Sequence, residues 1–121
     1  MLKKTITYTD YDGNQRTEDH YFNLSKIEVV EMEMTLDGGM VKYFERIIEE
    51  KNPKRMWDIF TEIIAKAYGV KSVDGKRFIK KPELAEEFMQ TEAYTELMLE
   101  LLSDAKVAAD FMNAIIPSPE A

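Results

Sequence analysis

Apolar and polar residues alternate over residues 4–9, with Ile6 and Tyr8 on one side and Thr5, Thr7 and Thr9 on the other. That period of two predicts a strand with one buried face. Tyr11-Asp12-Gly13-Asn14 supplies turn chemistry, and residues 15–22 return with Thr17, Tyr21 and Phe22. Residues 2–23 therefore read as a β-hairpin. A lone hairpin is marginal in water, so this one must pack on helices or on a partner chain.

The period then changes. Ser25-Lys26-Ile27-Glu28 is a capping box, with Leu24 before it and Val29 placed to close a hydrophobic staple. The helix it opens should run through Met32 until Asp37-Gly38-Gly39 breaks it. A second helix carries Met40, Phe44, Ile47 and Ile48 on one face and stops before Asn52-Pro53, an N-cap followed by proline at the first helical position. In the third helix, over 53–68, Met56, Ile59, Phe60, Ile63, Ile64 and Ala67 form one apolar face. Gly69 sits where a left-handed C-terminal cap belongs. Residues 70–81 lack helical periodicity, and Val73-Asp74-Gly75-Lys76 reads as a second tight turn.

Pro82 opens a helix with Leu84, Ala85 and Phe88; after Gln90-Thr91, helical spacing continues through Tyr94, Leu97, Met98, Leu101 and Leu102. Ser103-Asp104 caps a last helix bearing Val107, Ala108, Phe111, Met112 and Ile115, which Pro117 and Pro119 end. The predicted fold is mainly α: a bundle of about five to six helices with an N-terminal β-hairpin. It forms one domain over 1–116, with the helices at 25–116 and a disordered tail at 117–121.

Composition narrows the function. A chain of 121 residues suits one domain, and without cysteine it has no disulfides and no thiolate metal site. The formal charge of −7 disfavours a sequence-independent nucleic-acid binder, which needs a basic face. Lys51, Lys54 and Arg55, and Lys76-Arg77 with Lys80-Lys81, read as solvated helix ends and loops. No apolar run approaches the roughly 20 residues of a membrane span, and the segment after Met1-Leu2-Lys3-Lys4 lacks the apolar core of a signal peptide.

Candidate chemistry is sparse. His20 is the one histidine, whereas triads and zinc sites are assembled around several histidines or cysteines. Asp10-Tyr11-Asp12-Gly13-Asn14 echoes part of a calcium loop, but its first ligand position falls on Tyr8 and its twelfth on Asp19. A plain hairpin turn is the better reading. Glu45 and Glu49, Glu86 and Glu87, and Glu92 and Glu96 lie opposite apolar stripes as solvated faces. Gly38-Gly39 and Gly75-Lys76 lack the spacing of a phosphate loop. The sequence thus predicts no catalytic residue, no cofactor and no metal. Its one oddity is eight methionines, three of them (Met32, Met34 and Met40) flanking the Gly-Gly break. Methionine fills irregular cores and also makes adaptable binding surfaces. Met32, Met34 and Met40 are the candidate partner-binding residues, with Tyr21 and Phe22 at the hairpin end as a second choice.

Several strings carry a resemblance: Lys4-Thr5-Ile6-Thr7-Tyr8-Thr9-Asp10-Tyr11-Asp12-Gly13, Tyr21-Phe22-Asn23-Leu24-Ser25-Lys26, Ala67-Tyr68-Gly69, Asp74-Gly75-Lys76-Arg77-Phe78, Gln90-Thr91-Glu92-Ala93-Tyr94 and Ala114-Ile115-Ile116-Pro117. In order and content the chain resembles the tail assembly chaperones of long-tailed phages or prophages of Gram-positive bacteria. The resemblance implies a small, acidic, helical, non-catalytic protein of the host bacterial cytoplasm, absent from the mature virion. It further implies binding to the tail tape measure protein, recruitment of tail tube protein subunits and self-association, while charge and apolar run length predict neither nucleic acid nor membrane as partner. Such proteins are commonly made in a short and a frameshift-extended form. Two other readings fit the composition: a small acidic adaptor regulating a phage or host protein, and a minor structural tail component.

Overall fold

The hairpin is built as the alternation predicts. In the computed structural model, which describes residues 1–35 and 39–117, strands β1 (Leu2–Thr9) and β2 (Gln15–Phe22) pair antiparallel without interruption from Leu2↔Phe22 to Thr9↔Gln15. Ile6 is buried, Tyr8 is half-buried, and Thr5, Thr7 and Thr9 are exposed. Cross-strand bonds knit the outer face: Thr5 donates to Asp19, and the Thr7 and Thr17 hydroxyls meet at 3.0 Å. The turn closes on Asp10, whose carboxylate accepts the N–H groups of Asp12 and Asn14 and the Arg16 guanidinium, while Gly13 takes φ 85°. These donors hold the Asp10 carboxyl below its usual range, Arg16 foremost. This carboxylate is committed to turn and arginine, as a hairpin turn requires.

Helices follow at their predicted caps. Helix α1 (Lys26–Thr35) starts on a closed capping box: the Ser25 N–H donates to Glu28 Oε1 at 2.9 Å, and the Glu28 N–H donates to Ser25 Oγ at 3.3 Å. Of the break before helix α2 (Met40–Glu50), Asp37 and Gly38 lie outside the described residues, and Gly39 has φ 86°. Asn52 caps helix α3 (Pro53–Ala67) by accepting from Lys54 and Arg55 N–H groups. Met56, Phe60, Ile63, Ile64 and Ala67 are buried, and Ile59 packs partly buried against them.

The segment after α3 departs from expectation. Gly69 is not a left-handed cap. Tyr68 leaves the helix in extended conformation (φ −66°, ψ 137°), and Tyr68–Lys71 forms strand β3. Strand β3 pairs with β2 through Tyr21↔Gly69 and Phe22↔Tyr68, and with β4 (Phe78–Ile79) across the predicted turn, where Gly75 has φ 74°. The hairpin is therefore half of a four-stranded antiparallel sheet of order β1-β2-β3-β4. Glycine at 69 serves close approach: a Cβ there would stand 2.6 Å from Phe78 Cε2 and 2.7 Å from the Ile79 carbonyl oxygen.

Helices α4 (Pro82–Met89), α5 (Glu92–Ser103) and α6 (Ala105–Ile115) complete the chain, with α5 running beside β1. Asp104 caps α6 by accepting from Lys106 and Val107. One core joins the inward residues of the sheet, Ile6 and Phe22, to Phe44, Phe60, Ile64, Phe88, Leu97 and Phe111 from the helices. Of the tail predicted at 117–121, all but Pro117 lies outside the described residues.

Candidate docking surface

Helix α1 is apolar on two sides. Val29 and Met32 pack, partly buried, against the core. On the opposite side Ile27, Val30 and Met34 are 65%, 44% and 79% exposed. Their spacing of three and four residues is the a–d–a rhythm of a coiled-coil seam, so they form one continuous ridge along the helix. Glu31 and Glu33 stand exposed beside it. The helix start is pinned by the capping box and by Lys80, whose ammonium meets Glu28 Oε1 at 2.6 Å. Partial burial pushes the Glu28 carboxyl up, but Lys80 and the Ser25 N–H outweigh it and hold the group below its usual range.

The five residues expected to form a binding surface are not brought together. Met34 is on the ridge. Met32 faces the other way, half-buried against the core. Met40 begins α2, and its side chain lies outside the described residues. Tyr21 is half-buried, with Lys71 Nζ 5.8 Å from its ring centroid. Phe22 is corrected outright: it is fully buried, edge-on to Tyr68, Phe88 and Phe111 at 5.5–5.7 Å. A strand end carrying two aromatics reads as surplus only until β3 and α6 are seen to enclose one of them. The capping box and staple explain the helix start without placing Ile27 and Val30 on either side of it. The signal was available: apolar residues at 27, 29, 30, 32 and 34 exceed what one buried face of a short helix needs.

His20 is the group whose surroundings could have suggested chemistry. Its ring packs 5.0 Å from Phe88 and 6.3 Å from Tyr68, and Nε2 has no hydrogen-bond partner among the described residues. Burial pushes its pKa below the ordinary histidine value, against the attraction of Glu18, 4.0 Å from Nε2, and of Asp19. The ring is wedged among aromatics, which is a packing environment. Among the described residues no three His, Asp or Glu side chains converge to hold a metal ion, and no helix is long and apolar enough to cross a membrane.

An acidic exterior, a helical core and, among the described residues, an exposed apolar ridge are what a protein-binding module offers. A family model described as phage tail assembly chaperone matches residues 1–119. The chain belongs to that family. No curated protein and no solved structure gives a significant match. The likeness read from Lys4–Gly13, Tyr21–Lys26 and the later strings is thus that of a tail assembly chaperone along almost the entire chain. Family membership says that the protein serves phage tail assembly. It does not assign a partner to any side chain.

Proposed function

We propose that this tail assembly chaperone works by binding alone: it coats the tail tape measure protein in the host bacterial cytoplasm, in several copies, and recruits tail tube subunits before leaving. The observation that carries the reading is the exposed Ile27–Val30–Met34 ridge on a member of this family. A tape measure chain that is largely helical exposes apolar stripes until the tube encloses it. A ridge with coiled-coil spacing is the complement such a stripe lacks.

The remaining properties support the same task. Net charge of −7 keeps many copies soluble and mutually repelling except where apolar surface meets apolar surface. Release needs no nucleotide, because polymerising tube subunits that bind the same client displace the chaperone by mass action. Co-expression with a tape measure protein from the same phage or prophage tests the reading. The client should move from the insoluble to the soluble fraction and co-purify with the chaperone. A client that stays insoluble and unbound would overturn it.

A further inference from the structure

The two edges of the sheet are treated differently. Strand β4 is two residues long and is flanked by Lys76, Arg77, Lys80 and Lys81, a short and charged edge that resists pairing. Strand β1 is eight residues long, unbulged and free of proline, and its stretch Thr5–Thr9 carries no charge. Its ladder parity fixes what it presents. The Asp10 N–H donates to the Asn14 carbonyl at 2.9 Å, which makes 10–14 a hydrogen-bonded pair. Alternation then turns the N–H and C=O groups of Lys3, Thr5, Thr7 and Thr9 away from β2 to the open edge. Beside that edge runs a groove lined by Thr5, Ile6, Thr7, Glu96, Leu99 and Glu100, in which Leu99 is 58% exposed.

We propose that β1 pairs antiparallel with β1 of a second copy, joining two sheets into one of eight strands. The strand is complementary to itself. Centred on Ile6, the pairing sets Thr5 opposite the partner's Thr7 and Lys3 opposite the partner's Thr9. All four outward residues then enter the ladder, with none left over. The same register lays the basic start of each strand, Lys3 and Lys4, toward the acidic turn of the other, Asp10 and Asp12. The contact is isologous, so it closes at two copies and leaves both α1 ridges outside the ladder. This names a surface for the self-association expected from the sequence, yet it stands on the edge geometry without the client.

The test is molar mass by sedimentation equilibrium for the full chain and two variants. Thr7→Pro removes an outward N–H without touching the β1–β2 ladder. Thr5→Lys/Thr7→Lys sets like charges directly opposite across the two-fold axis. The wild type should be a dimer, and both variants monomers with unchanged circular dichroism. If Thr7→Pro fails to fold, the lysine pair decides, since both threonine side chains are exposed. Mixed Thr5→Cys and Thr7→Cys proteins should form a disulfide-linked heterodimer on oxidation, because hydrogen-bonded pairs hold Cα atoms about 5.5 Å apart. A wild type that stays monomeric, or a folded lysine variant that stays dimeric, overturns the proposal. A dimer that leaves the client insoluble would sink the client reading and spare this one.

Discussion

Leu24 donates its backbone N–H to the carbonyl oxygen of Ile115 at 3.0 Å, and both side chains are completely buried. The residue two positions beyond the hairpin is thereby tied to the last residue of the last helix, while Asn23 beside it donates to the Ala67 carbonyl at the end of α3. Three distant stretches of chain meet within two residues. Leu24→Ala should cost about 2–5 kcal/mol from lost transfer energy and the cavity left behind. Urea denaturation checks this; an unchanged midpoint would mean the junction is not cooperative with the core.

Ile63, 2% exposed at the centre of the α3 face, should behave likewise. Ile63→Ala is expected to lose about 2–4 kcal/mol in the same assay, whereas alanine at exposed Lys54 should stay within roughly 0.5 kcal/mol.

Gly69→Ala tests the strand that replaced a predicted cap. A left-handed cap would resent any Cβ through its backbone angle, but Gly69 lies outside the positive-φ glycines, and its constraint is contact with Phe78 and Ile79. Alanine should force β4 away from β3 and cost about 1–3 kcal/mol. Amide exchange should quicken at Val70 and Ile79 more than in α3. Equal protection in variant and wild type would contradict the packing account.

Those last two positions mark the limit of what the sequence disclosed. Caps were legible because Ser25, Asn52 and Asp104 act on N–H groups two or three residues away. The α3 face was legible because helical spacing is local. Strands β3 and β4 were not, since four- and two-residue segments carry no period and acquire meaning only by pairing, β3 with β2 and β4 with β3. The same limit applies to the surface. Whether Phe22 is exposed depends on Tyr68, Phe88 and Phe111, none of them near in sequence.

His20 predicts a pH dependence. Its folded-state pKa lies below the ordinary value of about 6.5, so the unfolded chain binds the proton more readily. Stability from this site is therefore complete above about pH 6.5 and is lost as pH falls toward the folded-state pKa. His20→Phe keeps an aromatic ring beside Phe88 and removes the titration. The stability of wild type relative to the variant should fall as pH drops below about 6.5. A difference that stays constant with pH would show that the ring is not desolvated.

If the α1 ridge grips a helical client as proposed, a tape measure segment should bind the wild type more tightly than Ile27→Gln/Val30→Gln/Met34→Gln. All three side chains are exposed, so circular dichroism should not change. Calorimetry should show binding to the wild type that persists at high salt, as apolar burial requires, and at least a roughly tenfold loss in the variant. Equal affinity for the two folded proteins would contradict the account.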